Sequence, residues 1–274
     1  EIRLGKGGKQ GCSSTPLLWN IVLDYVLGRT VDGWRNQGLG LDLGDDGGPI
    51  TDQIWADDTF CVSGSVEEAA CMAQDLCYAL GDGHLALKPG SLSVLANKTA
   101  LLGAPAGCRE GFSILDRWGS PLFVPRAAEM TILGVQIDAS ASSACAIEHR
   151  IAAAQAHFFA RRAQLTCPRV PLRDRLRRLY ATVGASFLWG SGGWTLSRAL
   201  VRRIEAFELS LLRRTIHNPR RVSESWVDYL KRSATSARTF LTQFGIDSLA
   251  VRAIKANHGW AGHAARAPAE TTLA

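Results

Sequence analysis

Residues 54–62 read Ile54-Trp55-Ala56-Asp57-Asp58-Thr59-Phe60-Cys61-Val62. Apolar and β-prone side chains flank two adjacent acids, so the run predicts strand, tight turn, strand, with Asp57 and Asp58 at the tip. Two carboxylates on one tip repel each other, and a hard divalent cation such as Mg²⁺ relieves that repulsion. A plain solvated Asp-Asp turn satisfies the same residues, because turns are rich in Asp. The remainder of the chain weighs between the two.

Charge is distributed unevenly. Residues 1–149 hold 10 Lys+Arg and 18 Asp+Glu, a net of −8, whereas residues 150–274 hold 21 and 7, a net of +14. A half this basic is the usual footprint of a polyanionic partner, more than of solvated helix faces. The 274 residues are 46% hydrophobic, enough for one large domain or two small ones with real cores. No uninterrupted apolar run reaches the roughly 18 residues of a membrane span. The start, Glu1-Ile2-Arg3-Leu4-Gly5-Lys6, has neither a signal core nor an initiator Met, and reads as the middle of a longer frame. Seven scattered cysteines without a C-x-x-C pair predict neither a zinc site nor a disulfide framework, and fit a reducing intracellular setting.

Along the chain, Gly5 to Cys12 forms a Gly-rich basic loop without phosphate-loop spacing. Ser13, Ser14 or Thr15 can cap a helix with Pro16 in its first turn, and Leu17, Leu18, Ile21, Val22, Tyr25 and Val26 predict its buried face, ending near Gly28. After a Gly/Asp loop over 36–49 and the acidic hairpin, Ser65 caps a second helix with Glu67 and Glu68 in its first turn, running to about Leu80. Residues 84–103 predict strands around Asn97-Lys98-Thr99, residues 104–130 irregular chain, and residues 131–137 a short strand containing Gly134. From Glu148 the pattern is helical. Ile151, Ala154, Phe158 and Phe159 line one face, with Arg161 and Arg162 beyond. Pro168 and Pro171 break the chain, Arg173, Arg175, Arg177 and Arg178 alternate with leucines, and a further helix spans about 197–216. The fold class expected is therefore α+β, with an acidic mixed part over 1–145 and a basic all-helical part over 146–274.

Taken together and in order, these segments resemble the reverse transcriptases of non-LTR (LINE-type) retrotransposons. Gln10-Gly11-Cys12-Ser13-Ser14-Thr15-Pro16-Leu17-Leu18-Trp19-Asn20 is similar to that family's template- and nucleotide-contacting loop and helix, although the family has another residue at Ser13 and Ser-Pro at 15–16. Trp55-Ala56-Asp57-Asp58 resembles its metal-binding hairpin with Trp in place of the commoner Tyr or Phe. Asn97-Lys98-Thr99 resembles a later palm motif, and Leu133-Gly134-Val135 the primer grip. His149-Arg150-Ile151, Arg177-Arg178-Leu179-Tyr180, Leu188-Trp189-Gly190, Trp194-Thr195-Leu196 and Trp260-Ala261-Gly262-His263 follow in the order of the family's thumb and the segment after it.

The resemblance implies a polymerase palm followed by a helical thumb. It implies two-metal nucleotidyl transfer from a dNTP to a DNA primer on an RNA template, with Mg²⁺ or Mn²⁺. Asp57 and Asp58 would be catalytic and metal-binding, and Gln10, Gly11 and Lys98 would meet template, dNTP and leaving pyrophosphate. Lys98 equally fits a solvated loop lysine. Leu133 and Gly134 would grip the primer, and Arg161, Arg162, Arg173, Arg175, Arg177 and Arg178 would contact phosphates. The family needs a further palm Asp before the Gln-Gly loop, and the nine residues preceding Gln10 contain none. The chain alone is therefore expected to be inactive or nearly so. Two other readings stand beside this one: a non-catalytic nucleic-acid-binding relic of a retroelement, and a maturase like those of group II introns.

Overall fold

Pro16 supplies a preset φ for the first turn of a helix and lacks the N–H that a first turn leaves unpaired. Helix α1 accordingly runs Thr15–Asn36 in the computed structural model, which describes residues 14–42, 44, 48–56, 58–88, 90–104 and 106–266. Gly28 does not end the helix. Of the expected core face only Val26 packs on the core: Leu17, Leu18, Ile21, Val22 and Tyr25 are exposed, whereas Leu23, Leu27, Val31 and Trp34 are buried. Both faces of α1 are apolar, and the buried one is selected by Met72, Leu76 and Leu80 of a partner helix.

The expected strand-turn-strand hairpin forms, with Asp58 in the second strand and not in the turn. β1 (Asp52–Trp55) and β2 (Asp58–Cys61) pair antiparallel, with Trp55 opposite Asp58. The partner helix α2 (Val66–Asp82) begins at Ser65, whose hydroxyl accepts from the Glu68 backbone N–H at 3.1 Å. The Glu68 carboxylate reaches back to the Gly64 N–H at 3.0 Å, so one orphan donor of the first turn and the N–H just before the cap are both satisfied.

Residues 84–103 depart from the strand-rich expectation. Only Val94–Leu95 (β3) is strand, and Asn97 caps a short helix, α3 (Lys98–Gly103), by accepting from Ala100 N at 2.8 Å. The stretch expected to be irregular contains a hairpin, β4 (Gly111–Leu115) and β5 (Pro121–Ala127), in a three-stranded sheet ordered β3-β5-β4. Phe112, Ile114 and Val124 turn one face of this sheet onto Val66 and Cys77 of α2.

The chain divides into two compact units after Met130, fifteen residues before the expected boundary near 145. The reason lies in 129–138. Instead of one strand they form a hairpin, β6 (Glu129–Ile132) and β7 (Val135–Asp138), turning through Leu133 (φ 48°) and Gly134 (φ 78°). Val135 packs against the helical core that follows.

That core is built from α4 (Ser143–Ala160), the short α5 (Arg162–Leu165), α6 (Leu172–Leu179), α7 (Ala185–Phe187), α8 (Arg198–Ile216), α9 (Trp226–Phe244) and α10 (Leu249–Ala264). Between α6 and α7 a π-helical turn spans Tyr180–Gly184. Ile147, Phe158, Leu176, Phe187, Ile204 and Leu212 are fully buried in one continuous cluster. Burial of each such side chain contributes about 1.5–3 kcal/mol. The exposed Arg203–Glu148 pair, at 2.6 Å, contributes at most about 1 kcal/mol, so apolar packing dominates this unit. The protein is thus a mixed helix-and-sheet fold, mainly helical with small sheets. Among the described residues no helix is long and apolar enough to cross a membrane.

Candidate nucleic-acid interface

In the first unit, the tip of the β1–β2 hairpin is tied to α1. The Trp19 indole N–H donates to the carbonyl of Ala56 at 2.7 Å, and Ala56 sits at φ 54°. Asp58 opens β2 and is exposed; Trp55 opposite it is 65% exposed. Asp57, Gln10 and Gly11 lie outside the described residues. Among the described residues no three His, Cys, Asp or Glu side chains converge as a metal would require. A two-metal site takes several carboxylate oxygens, and Asp58 is one acid. The described donors alone therefore do not compose such a site. Lys98 is the first residue of α3, exposed to solvent.

The second unit contains an open groove of about 500 Å³. Its walls are the Leu133–Gly134 turn, the later part of α4, and the chain from Thr182 to Trp189. Arg150 joins these walls. Its guanidinium donates to the carbonyl of Ser186 at 3.0 and 2.7 Å and to that of Gly134 at 3.2 Å. Partial burial lowers its pKa from the usual arginine value, and those carbonyls take up its donors. Leu133 and Gly134, expected as a primer grip, are thus brought together with Arg150 and Arg161 on one surface.

The predicted phosphate-binding arginines separate into two groups. Arg161, Arg162, Arg173, Arg177 and Arg178 are exposed. Arg175 is not available: it is buried, donating from Nε to the Val170 carbonyl at 3.1 Å and from Nη1 to the Thr215 carbonyl. The corrective signal is in the sequence. Arg175 stands three residues after Leu172 and four before Leu179, on the apolar stripe of α6 and not its solvent face.

Two residues that sequence reasoning left out of the site belong to this surface. His157 is exposed on α4 and lines the groove, one turn before Arg161. Trp189 is 58% exposed and donates its indole N–H to the Leu133 carbonyl at 3.0 Å. The Leu188-Trp189-Gly190 run, a Trp directly before a glycine, was the available signal. Comparison with protein-family models and with curated proteins finds no match to this chain.

Proposed function

We propose that this chain is the palm and thumb portion of an RNA-directed DNA polymerase of a non-LTR retroelement, acting on an RNA template, a DNA primer and dNTP with Mg²⁺ or Mn²⁺. The observation that supports this most is the Trp19 to Ala56 hydrogen bond. It ties the helix following the Gln10-Gly11 loop to the tip of the acidic hairpin, so the two segments with the family's order in sequence also meet in space. The exposed arginines of the second unit suit the sugar-phosphate backbone of a hybrid duplex, where contacts are non-specific and salt-sensitive. Base pairing supplies the copying, so base-reading side chains are not required.

The test needs no turnover. Binding of a labelled RNA–DNA hybrid is followed by fluorescence anisotropy with and without Mg²⁺ and the templated next dNTP. Ion and nucleotide together are expected to tighten the complex by about tenfold, the ordinary size of a coupling between two ligands. The double variant Asp57→Asn/Asp58→Asn removes that gain and leaves basal hybrid binding in place. Binding indifferent to Mg²⁺, dNTP and both substitutions overturns the polymerase reading in favour of a non-catalytic nucleic-acid-binding relic.

A further inference from the structure

We infer that the groove of the second unit seats one unpaired nucleotide of a single strand, its base stacked on Trp189 and its phosphate between His157 and Arg161. This rests on the nucleic-acid reading of the chain but not on its polymerase chemistry.

The ring is held in advance. Its N–H is fixed to the Leu133 carbonyl at 3.0 Å. Gly134 lies so close that a Cβ there would stand 3.2 Å from the indole nitrogen, and a Cβ on Gly190 would come within 2.6 Å of the Val135 side chain. Both glycines have positive φ, 78° and 75°, so the hairpin turn and the chain after Trp189 interlock around the ring. A large aromatic that is 58% exposed yet fixed at its edge offers a π-face without further ordering cost, which is what base stacking uses.

The cations are divided in a way that suits one phosphate. Arg150 spends its guanidinium on protein carbonyls and shapes the groove. His157 and Arg161 lie four residues apart on the same side of α4, and among the described residues neither side chain has a hydrogen-bond or ion-pair partner. No acid lines the groove. Its volume, about 500 Å³, is that of a small-ligand site, and it is open enough for a strand to enter and leave. A base stacks on a protein ring only when it is out of its own helix, so the fitting ligand is a single strand and not a duplex.

The full chain is titrated against a labelled thymidylate oligonucleotide about ten residues long, against a hybrid duplex of equal length, and with free dTMP as competitor. Trp189→Ala is expected to weaken oligonucleotide binding about tenfold or more, the usual loss of one stacked base, while hybrid binding stays within about twofold. Trp189→Phe, which keeps a ring face, retains most of the affinity. Arg161→Ala weakens the oligonucleotide and lowers the salt slope by about one. A bromodeoxyuridine strand crosslinks to the peptide containing Trp189. Oligonucleotide binding unchanged in both Trp189→Ala and Arg161→Ala overturns the inference even if hybrid binding and its dNTP response are intact. Equal losses for oligonucleotide and hybrid in Trp189→Ala overturn it too, because the ring then only supports the fold. Displacement of the strand by an equal concentration of dTMP overturns the single-strand form of the ligand. A wild-type chain that binds neither nucleic acid fails this inference and the proposed function together, whereas hybrid binding without strand binding fails this inference alone.

Discussion

The second unit gathers its apolar side chains into one cluster fed by α4, α6, α8, α9 and α10, with aromatic rings at its centre. The first unit splits its apolar side chains between two smaller clusters on either side of α2, one against α1 and one against the β3-β5-β4 sheet. It also leaves Leu17, Leu18, Ile21, Val22 and Tyr25 exposed along one face of α1. The basic surface is therefore carried by a self-sufficient packing unit, and the acidic hairpin by one in which single anchors count for more. Where cores are small, one polar bond on a buried ring fixes a helix pair that a large core would hold by area alone.

The strongest challenge to that contrast is Phe187→Ala. Phe187 is fully buried with ring centroids 5.4 Å from Trp194 and 5.2 Å from Phe207. Its truncation is expected to cost about 3–5 kcal/mol. Native-state hydrogen exchange checks where the loss falls: α4, α6 and α8 accelerate together, and α1 and α2 do not. Equal acceleration in both units would break the contrast.

Next in size is Trp34→Phe. The Trp34 indole N–H donates to the Asp75 carboxylate at 3.0 Å across the α1–α2 interface. A hydrogen bond to a charged group contributes about 1.5–3 kcal/mol, so exchange is expected to speed up in α1 and α2 alone. A neutral result would show that the small cluster is held by area after all.

The smallest effect is a pH dependence confined to the second unit. Glu208 is buried in the core, accepting from the Tyr180 hydroxyl and from Leu249 N at 2.8 Å. Burial pushes its carboxyl above the usual glutamate value of 4.5, against the downward pull of those two hydrogen bonds. The folded state then holds the proton more tightly than the unfolded chain. The contribution is fully present below the unfolded value and is lost as pH rises through the raised one. Denaturant midpoints measured from about pH 4 upward should fall for the wild type and flatten in Glu208→Gln, which keeps a carbonyl acceptor. A wild-type midpoint that rises over that interval contradicts the assignment.

Much of the fold was legible because short-range chemistry announces it. Ser65 caps the helix it was expected to cap, the helix expected over about 197–216 forms as α8, Pro168 and Pro171 interrupt the chain before α6, and the acidic hairpin has the expected strand-turn-strand form. What failed depended on partners far away in sequence. Helical spacing marked α1 as amphipathic, but its two faces are equally apolar, and only α2 decides between them. Residues 104–130 were expected to be irregular, yet Pro121 and Pro125 both lie in the β4–β5 hairpin, Pro125 opposite Gly111 and Pro121 opposite Leu115. Leu133-Gly134 read as strand because the flanking residues are β-prone; the two positive φ angles make it a hairpin turn. At the candidate site, the acids and most of the arginines were visible as residue types. The Trp189 platform was not, since its character comes from a carbonyl 56 positions away.

The π-helical turn at Tyr180–Gly184 acts as a phase shifter. An α-helix advances about 100° per residue, so one residue more in a single turn re-indexes everything after it. With this phase, Tyr180 reaches Glu208 in the core while Thr182, Ala185, Ser186 and Trp189 face the groove. Deleting one residue from that turn restores ordinary helical phase and rotates the downstream chain by about 100°. Every later side chain keeps its identity, and Trp189 loses its carbonyl, its contact with Gly134 and its place beside Arg161. The groove is in this sense encoded by an insertion as much as by the residues that line it.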